Sequence, residues 1–273
     1  MENLKAKSFE IREHVLDVIY RAKAGHIGGD MSVTDILVAL YFKHMNVGPE
    51  KVNDPDRDRF VLSKGHSVEA LYCVLAERGF FPYSDLETVS QFKTKYIGHP
   101  NNKINGIEMC SGSLGHGLPV CVGMALAAKM DKRDYRVYTV MGDGELAEGS
   151  VWEGAMAGGH YKLDNLTAIV DRNRLQISGC TEDVMTQDDQ KTRWESFGWH
   201  AIVCDGNDID SLDKALTEAK ATKGKPTVII AETTKGYGVS FMENKAPWHH
   251  KVPNAEEYAA AKKELQARRA QAL

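Results

Sequence analysis

Apolar positions recur along the chain with two different periods. Ile11, Val15, Val18, Ile19 and Ala22 fall at helical spacing, which predicts a first helix ending at Gly25. Residues 34–42, 68–78, 118–130, 211–222 and 256–272 read as further helices, the last with a charged face. Short segments rich in β-branched or aromatic residues alternate with them, at 59–62, 135–141, 166–170, 200–204 and 227–232. Segment 166–170 is a short apolar run suited to a strand buried in a parallel sheet. Strands alternating with helices predict an α/β fold, a mostly parallel β-sheet flanked by helices on both faces.

The polar breaks between these runs carry the chemistry. Gly142-Asp143-Gly144 ends the strand at 135–141, and Val151, Trp152, Ala155 and Met156 follow at positions compatible with a helix. Gly158-Gly159 is expected to end that helix in the left-handed conformation. The next strand stops at Asp171-Arg172-Asn173. In a parallel β-α-β unit both strands end on one edge, so Asp143 and Asn173 are expected side by side. That edge is where open α/β sheets bind ligands. One carboxylate and one amide oxygen make a hard but incomplete oxygen set, suited to magnesium that shares its shell with a diphosphate.

Three glycine-rich segments add to this. Gly25-His26-Ile27-Gly28-Gly29 reads as a loop around a histidine. Residues 111–117, SGSLGHG, precede a small-residue helix whose free N–H groups suit phosphate oxygens. They match neither the dinucleotide fingerprint nor a P-loop. Residues 233–238, TTKGYG, leave the last strand in the same manner. Five of the ten histidines, His26, His66, His99, His116 and His160, directly follow a glycine, which frees the backbone to aim an imidazole that titrates near neutrality.

Composition narrows the class. The 273 residues suit one domain with a substantial core, and 42% hydrophobic with 26% charged residues is ordinary for a globular protein. A net charge of −4 gives no reason to expect nucleic acid or an anionic membrane as partner. Five cysteines without a CxxC pair fit reduced thiols in a cytoplasm better than disulfides or a zinc site. No apolar run approaches the ~18 residues of a membrane span, and the charged start is not a signal core.

GDG followed by 28 residues and Asn resembles the thiamine diphosphate motif. The flanks, GDGELAEGSVWEGAMAGGHYKLDNLTAIVDRN, resemble the transketolase family in particular, and the likeness runs over nearly the whole chain. The resemblance implies a thiamine-diphosphate-binding fold spanning residues 1–273, with Asp143, Asn173 and the Leu175 carbonyl holding Mg2+, for which Ca2+ or Mn2+ could substitute. It implies cofactor contacts from His66, Gly112, Ser113, Leu114, Gly144, Lys235 and His249, and catalytic roles near the substrate for His26, His99 and His249. Arg174 departs from the wider superfamily, where a second Asn is common, and His116 replaces a common glutamine. Glu148 resembles a glutamate at the family's subunit interface. The helices holding Gly123, Ala125, Ala127 and Ala128, and Gly154, Ala155, Ala157 and Gly158, are small enough to approach partner chains closely.

The resemblance covers only the family's N-terminal domain. It therefore implies a split transketolase acting on sugar phosphates, pentose phosphates by default. A C-terminal partner subunit would carry the pyrimidine-binding domain, in a 2+2 heterotetramer. Two alternatives are the α subunit of a 2-oxoacid dehydrogenase, whose members have other flanks round the GDG turn, and a non-catalytic module that retains the half-site.

Overall fold

The computed structural model describes residues 3–187 and 189–273. Helices α1 (Leu4–Ala22) and α2 (Ile27–Ala39) open the chain, and α2 runs on into a π-helical turn at Leu40–His44. Then come β1 (Arg59–Leu62), α3 (Val68–Glu77), α4 (Gly117–Met130), β2 (Val137–Gly142), α5 (Gly149–His160) and β3 (Leu166–Arg172). A hairpin of β4 (Leu175–Gln176) and β5 (Gly179–Cys180) leads to α6 (Thr181–Val184) and α7 (Gln190–Ser196). The chain closes with β6 (His200–Asp205), α8 (Ile209–Ala221), β7 (Thr227–Glu232) and α9 (Ala255–Ala272). All five expected strands and their order along the chain are present.

The main sheet has the order β1-β2-β3-β7-β6, and every neighbouring pair in it is parallel. Side chains alternate across it, as a pleated strand requires. Tyr138, Val140, Ile169 and Ile229 enter one core under α1, α2, α3, α8 and α9, while Val137, Met141, Ala168, Val170 and Ile230 enter the other under α4, α5 and α7. Both faces are covered, which explains why β2 and β7 contain almost no exposed position. Among the described residues no helix is long and apolar enough to cross a membrane.

Two expectations about glycines are corrected. Gly28 and Gly29 are not in a loop: α2 starts at Ile27 and buries both of them. A Cβ on Gly28 would lie 2.6 Å from the Trp248 carbonyl oxygen, and one on Gly29 would lie 2.7 Å from Ser67 Oγ. These glycines let the start of α2 pack closely. Likewise Gly158 and Gly159 do not end α5 in the left-handed region, because the helix continues to His160 and Lys162 takes the positive φ of 51°. Their smallness admits the segment that follows α7. Trp199 packs under Gly158 and donates its indole N–H to the Ala155 carbonyl at 2.7 Å.

The small residues expected to meet partner chains also divide. Ala125, Ala128, Gly154, Ala155 and Gly158 are buried within the chain, Gly154 against Pro119 of α4 and Gly158 against Trp199, whereas Ala157 is half-buried and Gly123 and Ala127 face outward. A Cβ on Gly159 would sit 1.9 Å from the Phe197 carbonyl oxygen, a backbone atom with little room to move. Gly159→Ala is therefore expected to destabilise the chain by about 1–3 kcal/mol through overpacking. Urea unfolding at constant m-value measures this, and an unchanged midpoint would contradict the packing described.

Candidate functional site at the carboxyl edge of the sheet

A parallel sheet delivers all its strand ends to one edge, and the polar turns collect there. Gly142 on β2 pairs in register with Asp171 on β3, so the turns after the two strands start level. Asp143 Oδ2 accepts the backbone N–H of Arg174 at 2.5 Å, and Oδ1 accepts that of Gly144 at 2.8 Å. The expected meeting of the two turns is thus made by a direct hydrogen bond. Asn173 is buried beside it, its Oδ1 accepting from Leu175 N at 3.1 Å and its amide donating to Ser32 Oγ at 3.3 Å. Burial, with the Asp171 carboxylate nearby, pushes Asp143 up to about 6, against the opposing N–H groups of Arg174 and Gly144. Arg174, the residue that departs from the wider superfamily, adopts φ 63° and sends its side chain outward to Glu232. It leaves the pocket side of the turn to backbone.

Lys235 reaches the same place from the loop after β7. It is 1% exposed, donates to the Leu175 carbonyl at 3.2 Å and meets His249 Nδ1 at 2.8 Å. Burial and the neighbouring Lys64 lower it to about 8, while Asp171 and Asp143 pull the other way. These side chains border a cleft of about 430 Å3 that also takes in His26, His66, Gly112, Leu114 and Gly144.

The imidazoles cluster at one end. The His26 ring lies 5.3 Å from His66, 5.5 Å from His249, 6.2 Å from His99 and 6.1 Å from His250. Burial, then the mutual proximity of positive groups, lowers His26 to about 4 and His249 to about 3, and holds His66 well below its ordinary value. Burial also lowers His99. Near neutral pH these rings are uncharged, so each offers one N–H donor and one lone pair. His26 Nδ1 is buried with no hydrogen-bond partner among the described residues.

Other expected residues lie at the rim or outside. Gly112 adopts φ 144° and approaches so closely that a Cβ would stand 2.7 Å from His99 Cδ2. Ser113 is exposed and does not line the cleft. His116 is exposed and contacts the Leu114 carbonyl through Nδ1 at 2.9 Å, and His160 ends α5 in solvent. Glu148 is exposed at the cleft edge.

Sequence reasoning missed three buried residues that organise the site. Asp171 is fully buried and accepts from Lys64 Nζ, from Ser32 Oγ at 2.7 Å and from Thr233 Oγ1. Glu145 accepts from Gly142 N at 3.0 Å, from Gly115 N at 2.8 Å and from Ser63 Oγ, which fastens the SGSLGHG loop to the ends of β1 and β2. Their signal was position: Lys64 and Asp171 stand at the carboxyl ends of strands, where a charged residue faces the shared edge. Among the described residues no three His, Cys, Asp or Glu side chains gather in a way that could hold a metal. A cation here would depend on a single carboxylate together with amide and carbonyl oxygens and oxygens of a ligand.

An all-parallel sheet with a carboxylate, an amide, two buried lysines and uncharged imidazoles at one edge defines an α/β domain for a diphosphate cofactor. The chain belongs to the transketolase family, matching the family described as "Transketolase, thiamine diphosphate binding domain" over residues 5–272. Among similar proteins is one of Phocaeicola vulgatus named as a subunit of apulose-4-phosphate transketolase, 50% identical over 98% of this chain and 95% of that protein. The 6-deoxy-6-sulfo-D-fructose transketolase subunit SqwG of a Clostridium species is 40% identical over 97% and 96%. A crystal structure of transketolase from Campylobacter jejuni superposes with a TM-score of 0.92 at 30% identity, covering 100% of this chain but 46% of that one. The chain thus spans less than half of that transketolase and nearly all of the two named subunits.

Glu145 is the anchor most open to test. In Glu145→Gln an amide group replaces one of the oxygens that accept from Gly142, Gly115 and Ser63. The expected cost is about 1.5–3 kcal/mol of stability, the scale for a lost charged hydrogen bond. Thiamine diphosphate affinity should fall with it, since the SGSLGHG loop loses its fastening. Unfolding curves and calorimetry together check this.

Proposed function

We propose that this chain is the N-terminal subunit of a thiamine-diphosphate-dependent transketolase that moves a two-carbon ketol unit from a ketose phosphate to an aldose phosphate. The carrying observation is the cleft itself: one wall with a diphosphate-type edge and a histidine cluster, in a chain that matches relatives named as subunits over nearly their full length. A partner subunit with the pyrimidine-binding domain would supply the other wall, in a 2+2 heterotetramer in the cytoplasm, in keeping with five free cysteines. The 2-oxoacid dehydrogenase reading is not favoured, because the similar proteins are transketolases.

The residues fit the cofactor and a divalent cation. Asp143 and Asn173 offer hard oxygens, and the Leu175 carbonyl already faces a positive group, the Lys235 ammonium. In this reading Asp143, Asn173 and Leu175 hold magnesium, while Lys235 and the backbone of the 111–117 loop meet diphosphate oxygens. When bound, thiamine diphosphate supplies a nucleophilic carbon and an electron sink for breaking the C2–C3 bond of a ketose. The chain's own part is to hold and orient. Uncharged His26, His99 and His249 donate N–H groups to sugar oxygens and move protons at them, and His66 packs against the cofactor. The buried lysines and the closed floor under Asp171 keep water from the anionic end. Two relatives are named for apulose-4-phosphate and for 6-deoxy-6-sulfo-D-fructose, and we include sugars of these kinds in the proposed substrate class beside the default pentose phosphates.

Two outcomes are expected. Asp143→Ala should abolish thiamine diphosphate binding while the fold survives, since it removes the only carboxylate of the proposed cation set. Calorimetry with magnesium checks this, and unchanged affinity refutes the assignment. Purified alone with magnesium, thiamine diphosphate, a ketose phosphate and an aldose phosphate, the chain should transfer no two-carbon unit, and activity should appear once the partner is added. Full activity from the chain alone would overturn the split-subunit reading.

A further inference from the structure

We propose that Asp30 and Glu69 form a buried carboxyl pair that shares one proton and positions His26 at the cleft. Both residues are 0% exposed. Asp30 stands in the first turn of α2 and Glu69 in the first turn of α3. Asp30 Oδ1 accepts the Ala70 N–H at 2.9 Å, which ties the starts of the two helices together. Asp30 Oδ2 and both oxygens of Glu69 have no other hydrogen-bond partner among the described residues. Two unpartnered, fully buried anions side by side are not tolerated, whereas a carboxylic acid donating to a carboxylate satisfies both.

The pair touches the segment that aims His26. A Cβ on Gly25 would lie 3.3 Å from Glu69 Cδ, so the carboxyl group rests against the backbone just before His26. His26 is the N-cap of α2, and its carbonyl accepts from Gly29 N at 3.0 Å and from Asp30 N at 3.1 Å. Burial raises Asp30 to about 7 and Glu69 well above the carboxylate range, with Asp30 adding to the rise of Glu69. The facing groups are few. Lys64, from the loop after β1, and the N–H groups of Ala70, Glu69 and His26 favour the anion. Cys73 and Tyr72 on α3 are themselves pushed upward by burial and stay protonated. Asp30 gives up its proton first, at about 7, and Glu69 is held higher by that charge. One proton therefore remains between the two carboxyls above neutral pH and is lost only as pH rises through the higher value of Glu69.

The inference rests on His26 acting at the substrate, so the test separates the two claims. In the two-subunit enzyme, Glu69→Gln keeps a donor for Asp30 and Glu69→Leu removes it. Glu69→Leu is expected to lower kcat about 10-fold with unchanged thiamine diphosphate affinity, less than the roughly 10²–10⁴-fold of a full loss of acid–base function. Glu69→Gln should stay within about 2-fold at neutral pH and keep its rate at the more alkaline pH where the wild-type pair loses its last proton and its rate declines. Equal damage in both variants, or a wild-type rate in Glu69→Leu, overturns the proposal. Should Glu69→Leu not fold, the pH profile of Glu69→Gln decides, and an alkaline limb identical to the wild type overturns it. A normal rate in His26→Ala would sink the role of His26 alone. The NMR signals of the His26 ring then still decide the pair: a shift in Glu69→Leu but not in Glu69→Gln supports positioning, and no shift in either overturns it.

Discussion

The edge depends on one buried ion pair, Lys64 with Asp171. Both side chains are within 1% of complete burial. Asp171 closes β3, Lys64 follows β1, Ser32 comes from α2 and Thr233 follows β7, and all of them meet on one carboxylate. Removing one member of a buried pair leaves an uncompensated charge and typically costs about 3–5 kcal/mol. Here the loss would not stay local. Ser32 also accepts from Asn173, so the orientation of that amide hangs on the same hub.

The hub also sets the electrostatics of the cleft. The Asp171 charge helps push Asp143 up, and Lys64 helps push Lys235 down. Burial acts on both in the same sense, against their charged forms. An acid held high and a base held low both gain from meeting opposite charge, which suits a ligand that brings a cation and an anion together. The histidines follow the opposite logic. Close-packed rings beside two lysines are tolerated only uncharged, which makes them donors rather than counter-ions.

Much of this was legible from residue pattern. The strands at 59–62 and 227–232 lie where periodicity put them, and the Asp143–Asn173 juxtaposition follows from parallel β-α-β geometry alone. What was not legible has a common cause. Gly28, Gly29, Gly158 and Gly159 read locally as breakers, yet their smallness answers to backbone and side chains far away in sequence, such as Trp248, Ser67 and Phe197. Lys64, Glu145 and Asp171 read as turn residues because the partners that fix them, such as Gly115 for Glu145 and Asp171 for Lys64, are 30 and 107 positions away. The histidine cluster needed the resemblance, since glycine before histidine marks His160, in solvent, as readily as His26.

The connectivity of the sheet has a kinetic consequence. β1 pairs with β2 only after the chain has closed a loop from Leu62 to Val137, and β3 finds β7 only across the whole segment that contains β6 and α8. Parallel pairings of such long range form slowly, because loop closure must come before any contact rewards it. Lys64, Asp171 and Thr233 ride on three of these strands' ends, so their junction exists only once the sheet is complete. A partly assembled chain would carry helices and even the β2–α5–β3 unit without a floor for the cleft. Ligand affinity in this protein is thus a readout of the finished sheet.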